Sequence, residues 1–76
     1  MNKDRRTRLA RAVTLLEDAK DILEVCRGEE EEALDNLPDS LKEGERGEAM
    51  ATAVEKLAEA VGGVEQAIED VNEASQ

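Results

Sequence analysis

The chain has 76 residues, a formal net charge of −10, and no histidine, phenylalanine, tyrosine or tryptophan. A chain of this length forms one small domain. Without histidine there is no imidazole acid, base or metal ligand, and without aromatic side chains there is no stacking platform for bases. The acidic charge opposes binding to nucleic acid or to an anionic membrane. We therefore expect no catalysis, no cofactor, no metal, no direct nucleic-acid binding and no membrane contact.

The composition also predicts self-association. Of the 30 apolar residues, 11 are alanine, so a single chain has few large side chains to bury. A single cysteine cannot form an intrachain disulfide and fits a reducing compartment, and no stretch reads as a signal peptide or a membrane span. We expect a cytoplasmic homo-oligomer, most simply a dimer, because pairing would supply the missing core.

The first predicted helix covers about residues 3–36, with Asn2 as its N-cap. Its apolar seam follows spacings of three and four through Leu9, Ala12, Leu16, Ala19, Leu23 and Cys26. The face is widened by Val13, Leu15, Ile22 and Val25. Because Cys26 lies on the seam, we expect a small core residue there. Glu30 occupies a seam position where an apolar residue is expected, and the helix should end before Pro38.

A connector is predicted at residues 37–46. Ser40 and Glu43 have the spacing of a capping box, which indicates one short helical turn around Leu41. Two interpretations are open for this segment. In the first, which we favour, Leu37 and Leu41 cover the end of the bundle and Arg46 pairs with a helix terminus. In the second, the segment is a tip that contacts a partner.

The second predicted helix covers about residues 47–74. Its seam has intervals of 4, 3, 4, 3, 4 and 3 and consists of Met50, Val54, Leu57, Val61, Val64, Ile68 and Val71. A parallel row of small residues contains Ala53, Ala60, Ala67 and Ala74. Gly62 and Gly63 cost helix stability, so we expect another helix to approach closely at this point.

These elements predict an all-α fold, an antiparallel two-helix hairpin that dimerises into a four-helix bundle with coiled-coil-like packing. One long rod is the alternative to a closed hairpin. The predicted oligomer interface comprises Leu9, Val13, Leu16, Leu23, Cys26, Met50, Val54, Leu57, Val61, Val64, Ile68 and Val71.

The charges are unevenly distributed. Residues 1–11 carry a local charge of +4, and the other 65 residues sum to −14. In an antiparallel hairpin the basic start lies beside the acidic end of the second helix, so we expect pairing, within or between chains, with Glu65, Glu69, Asp70 and Glu73. The alternative is a grip on a phosphate or an acidic partner. The possible partner contacts are Arg5, Arg6, Arg8, Arg11, Glu29, Glu30, Glu31, Glu32, Glu45, Arg46 and Glu48.

The carboxylates suggest two further functions. Glu29, Glu30, Glu31 and Glu32, followed by Asp35, resemble the ExxE and ExxD magnesium ligands of the all-α nucleotide pyrophosphohydrolases, which would imply a magnesium-dependent enzyme. Such spacings are nearly unavoidable in so acidic a helix, however. Two rows of carboxylates along an elongated dimer would instead suit an acidic DNA mimic that competes for a DNA-binding protein.

The segment from the glutamate run onward resembles a group of short acidic helical proteins common in bacteriophage and prophage genomes. These proteins share a glutamate run, a "DN-hydrophobic-P" stop and an "ERGE-x-M" helix start, and they have no assigned biochemical function. The matching residues are Asp35, Asn36, Leu37, Pro38, Glu45, Arg46, Gly47, Glu48 and Met50. Gly62 and Gly63 depart from the pattern. The resemblance implies a phage- or prophage-type protein, made in the bacterial cytoplasm, that binds and modulates a host protein as an adaptor or inhibitor, including host-defence components.

Overall fold

A computed structural model describes all 76 residues and is entirely helical. It contains α1 (Lys3–Asp35), α2 (Asp39–Lys42) and α3 (Glu45–Ala74). The prediction of an all-α fold is confirmed. The first long helix ends one residue before the predicted boundary, and the second begins two residues before it.

The two long helices lie side by side. The molecule measures 58 × 14 × 12 Å, whereas helices of 33 and 30 residues are about 50 and 45 Å long and could not lie end to end within that length. One ion pair joins them, with 3.8 Å between Lys20 Nζ and Glu65 Oε1. The chain is therefore folded back on itself as a hairpin and does not form one long rod.

Local hydrogen bonds define both ends of α1. The Oδ1 atom of Asn2 accepts a hydrogen bond of 2.8 Å from the backbone N–H of Arg5, which confirms the predicted N-cap. At the other end, the backbone N–H of Asn36 donates to the carbonyl of Glu32 over 3.0 Å. The helix then stops short of Pro38, whose ring restricts the residue before it.

The connector contains the short turn expected around Leu41, but it is capped differently. The carbonyl of Pro38 accepts hydrogen bonds of 2.8 Å from Leu41 N–H and 3.0 Å from Lys42 N–H. Pro38 is therefore the N-cap of α2, and no side chain caps this helix. The predicted capping box is wrong because Ser40 already lies inside the helix that it would have to precede.

Gly47 fixes the angle at which α3 leaves the connector. It is one of only two buried residues in the chain. A Cβ atom built on Gly47 would lie 2.6 Å from the Cα of Lys42 and would collide with the Lys42 carbonyl. The first turn of α3 thus passes directly over the backbone of α2, and only a residue without a side chain allows this approach.

The contact between α1 and α3 is formed by one seam from each helix, which we call the core seam. Its side chains are half-buried except Val61, which is 9 % exposed and buried. In α3 the core seam comprises Met50, Val54, Leu57, Val61, Val64, Ile68 and Val71. In α1 it comprises Leu9, Val13, Leu16, Lys20, Leu23, Arg27, Glu30 and Leu34.

The core seam of α1 therefore differs in part from the predicted seam. Positions 13, 20 and 27 continue the spacing from Leu9, and Cys26 is exposed. The prediction that Cys26 is a core residue is wrong for the single chain. The prediction placed Ala19 and Cys26 on the seam because they are apolar, whereas the structure places the next residues, Lys20 and Arg27, there. These two side chains are polar only at their tips, and their apolar stems can lie along the contact.

Gly62 and Gly63 do not mark a close approach between α1 and α3. A Cβ atom at either position would meet nothing within 4 Å. The expected neighbouring helix is absent from this point of the hairpin. Both glycines leave open space on the outside of α3.

Candidate interaction surfaces

The predicted oligomer-interface residues lie mainly where the chain contacts itself. Eleven of the twelve belong to the core seam and Cys26 does not. A contribution of these residues to an oligomer stays a prediction, because in one chain they serve the α1–α3 contact.

A second apolar pattern lies beside the core seam. In α1 it consists of Ala12, Leu15, Ala19, Ile22 and Cys26, and in α3 of Ala53, Ala60, Gly63 and Ala67. Each of these residues immediately precedes a core-seam residue and is therefore rotated about 100° to one flank of it. Leu15 is 55 % exposed and Ile22 is 64 % exposed.

Both halves of this pattern lie on the same side of the hairpin. Two antiparallel helices are related by a twofold axis perpendicular to the plane that contains them. Rotation about this axis exchanges the two helices, but a residue above the plane stays above it. Residues that precede the core seam in α1 and in α3 therefore share one broad face, which we call the apolar face. It combines a ridge of two large side chains with a track of small ones.

The opposite face is acidic. It is formed by residues that follow the core seam, and we call it the acidic flank: Glu17, Asp21, Glu24, Glu31, Asp35, Glu55, Glu65 and Glu69. Glu65 there pairs with Lys20, and Glu31 pairs with Arg27 Nη1 over 2.7 Å. The flank thus carries ion pairs and hydrated carboxylates, whereas the apolar face exposes hydrocarbon.

Two further rows of carboxylates run along the outer edges of the hairpin, on the sides of α1 and α3 that point away from each other. We call them the outer rows. The α1 row contains Asp4, Asp18 and Glu32, and the α3 row contains Glu45, Glu59 and Glu73; all are exposed. Three of the four sides of the molecule are therefore predominantly acidic.

The basic N-terminal segment does not pair with α3. Arg8 Nη2 lies 2.9 Å from Asp4 Oδ2 within α1, and Arg5, Arg6 and Arg11 form no ion pair. The predicted pairing with the acidic end of α3 is wrong within one chain, apart from the Lys20–Glu65 pair further along. An open depression lies at this end, lined by Met1, Arg5, Arg8 and Leu9.

The connector shows only part of what the favoured interpretation predicted. Leu37 is half-buried as expected. The roles predicted for Leu41 and Arg46 are wrong within one chain, since Leu41 is 43 % exposed and Arg46 forms no ion pair. Glu45, Arg46 and Glu48 are exposed. The residue that determines the geometry of this turn is Gly47, and the sequence analysis did not identify its role. The signal in the sequence is a glycine inside the first turn of a helix, where helix capping does not require one.

The glutamate run is spread around α1. Glu29, Glu31 and Glu32 are exposed, and Glu30 is half-buried on the core seam. Consecutive residues are about 100° apart on a helix, so these side chains diverge. No three carboxylate or cysteine side chains of the chain come together in a group that could hold a metal ion.

The long helices contain no apolar stretch of the length needed to cross a membrane. Comparisons with protein-family models, with curated proteins and with solved structures find no match to the chain. The likeness to phage proteins therefore stays a prediction.

Proposed function

We propose that the chain is a non-enzymatic, phage- or prophage-type binding protein that engages a basic surface of a bacterial host protein and modulates it as an adaptor or inhibitor. The observation that supports this is the acidic surface on three sides of a slender helical body. Exposed carboxylates on rigid helices give a fixed charge pattern, which steers a basic partner and sets its orientation.

The acidic flank is the part of this surface with the clearest pattern. Glu17 and Glu24 are seven residues apart in α1, so they lie two turns apart on one side, and Glu69 lies on the same side of α3. None of these three carboxylates takes part in an ion pair within the chain. They are available to arginine and lysine side chains of another protein without breaking an existing pair.

The proposal is tested by co-purification from bacterial cytoplasm followed by titration with the purified partner. We expect one dominant partner, a defined stoichiometry and a dissociation constant that rises at least about tenfold between 50 and 300 mM salt, as expected of charge-steered binding. At any one salt concentration, the triple variant Glu17→Gln, Glu24→Gln and Glu69→Gln should have a higher dissociation constant than the parent chain.

The matched control is the triple variant with aspartate at the same three positions, which keeps all the charges. It should bind nearly as well as the parent chain. Equal affinity for the glutamine and aspartate variants would contradict the proposal, because binding would then not depend on these charges.

A second candidate is an acidic DNA mimic. It is favoured by the two outer rows, which run along opposite edges of a body 58 Å long. A mimic should displace duplex DNA from a DNA-binding protein at low salt. Reversal of the α3 row by Glu45→Lys, Glu59→Lys and Glu73→Lys should abolish the competition, whereas neutralisation of the acidic flank should not. Unchanged competition by the reversed variant would exclude this candidate.

A further inference from the structure

The largest unexplained feature of the molecule is the apolar face. Leu15 and Ile22 are more than half exposed, although the hairpin buries only two residues in total. Of the five large apolar side chains that the chain exposes, these two lie next to each other on this face. A partner on this face would remove that hydrocarbon from water, at roughly 25 cal/mol per Å².

We infer that the apolar face binds a second copy of the same chain, so that two hairpins pack face to face as a four-helix bundle. The interface is the apolar face and is distinct from the core seam. The argument rests on shape, on charge and on area.

The shape of the face is self-complementary. A twofold interface requires that the same patch fit itself. The ridge formed by Leu15 and Ile22 alternates with Ala12 and Ala19 along α1, while the neighbouring track on α3 offers only small residues around Gly63. Large side chains of one copy can therefore enter spaces beside small ones in the other, and the open space at Gly63 admits a close backbone.

The charge at one end of the face is self-complementary as well. Near the connector, Glu29 on α1 lies level with Lys56 on α3, in the register set by the Lys20–Glu65 ion pair, and both side chains are exposed. Turning a second copy about the axis that runs parallel to the helices places α1 on α3, so Glu29 of each copy meets Lys56 of the other. The other three sides of the molecule would repel a second copy.

The area fits a weak dimer. From Ala12 to Glu29 the face is about 26 Å long, and with the 14 Å width of the hairpin it covers about 360 Å², roughly half of what each partner buries in a standard protein–protein interface. The existing ion pair at the connector end does not oppose this use, since the Lys56–Glu59 pair is well exposed and local to one helix. Exposed pairs of this kind contribute little and can re-form with new partners.

The test is sedimentation equilibrium of the purified full chain, without any other protein, over a range of concentrations. We expect a species of twice the 8.3 kDa chain mass. Ile22→Glu, which puts a carboxylate in the ridge, should raise the dimer dissociation constant by at least about 100-fold. Val25→Glu is the matched control: it is also more than half exposed in α1 but lies on the outer edge, and it should change the constant less than about threefold.

A second pair of variants guards against loss of folding. Gly63→Glu and Gly62→Glu both replace a helix glycine that has nothing within 4 Å, and both should keep or raise helix content. Only Gly63 lies on the apolar face, so only Gly63→Glu should dissociate the dimer. Equal behaviour of the two glycine variants would overturn the inference, as would a parent chain that stays monomeric at millimolar concentration.

Cys26 supplies an independent readout. Its thiol is exposed in the single chain and lies on the apolar face. Its reaction rate with a thiol reagent should fall as the protein concentration rises through the dimer dissociation constant. The Ile22→Glu variant should react at one rate at all these concentrations, and a rate independent of concentration in the parent chain would contradict the proposed interface.

Discussion

Gly47 is the residue on which the hairpin geometry most depends. Its missing side chain lets α3 cross the backbone of Lys42. Gly47→Ala should therefore destabilise the fold by about 2–3 kcal/mol, since neither backbone segment can move aside without disturbing α2. Urea unfolding followed by helical circular dichroism measures this change.

The other helix glycines provide the control for that substitution. Gly28 and Gly62 have nothing within 4 Å of a built Cβ atom. Gly28→Ala or Gly62→Ala should stabilise the chain by about 0.5–1 kcal/mol, because alanine restricts the unfolded chain and favours the helix. Stabilisation by Gly47→Ala as well would show that the α2–α3 contact is not close.

Val61 and Val25 separate burial from helix propensity. The first is 9 % exposed and the second 60 % exposed, both in long helices. Val61→Ala should cost about 1.5–3 kcal/mol through lost burial, whereas Val25→Ala should stay within about 0.5 kcal/mol of the parent chain. Equal losses in thermal unfolding would mean that the core is not centred on Val61.

At the scale of single elements, α1 depends on its cap. The Asn2 side chain accepts the Arg5 N–H, at a helix start where basic residues oppose the helix dipole. Asn2→Ala should cost about 1 kcal/mol and fray the first turn, and Asn2→Asp should restore the cap. Amide hydrogen exchange of the first turn reports this directly; unchanged protection in the alanine variant would contradict a role for the cap.

The sequence predicted the type of each element better than its contacts. Spacings of three and four were sufficient for the two helices, and Pro38 and Asn2 marked their limits. They were not sufficient to choose between Cys26 and Arg27 for the core seam, because apolar residues occupy two adjacent rows of α1. Choosing the less polar residue of the two selects Cys26, whereas the structure places Arg27 in the contact. Gly47 was missed for a different reason: its role depends on where α2 passes, which is a tertiary fact.

At the scale of the whole molecule, charge repulsion should limit stability. The net charge is −10 and the ion pairs present are exposed. Raising the ionic strength from 0.01 to 0.15 M shortens the screening length from about 30 to about 8 Å. We expect the melting temperature to rise with sodium chloride over this range, since screening of the net charge outweighs the loss of weak surface pairs.

The triple glutamine variant of the acidic flank is the control for this prediction. It removes three negative charges without touching an ion pair, so its melting temperature should depend less on salt than that of the parent chain. A melting temperature that falls as salt is added would show that attractive pairs dominate instead.

The contact between Gly47 and Lys42 also has a kinetic consequence. These residues are five positions apart, whereas the core-seam positions Leu9 and Val71 are 62 apart, and the entropy of closing a loop grows with the separation. Pairing of the helices should therefore start at the connector and proceed toward the termini. In stopped-flow experiments Gly47→Ala should slow folding and Val71→Ala should mainly speed unfolding; the reverse result would place the first contacts at the open end.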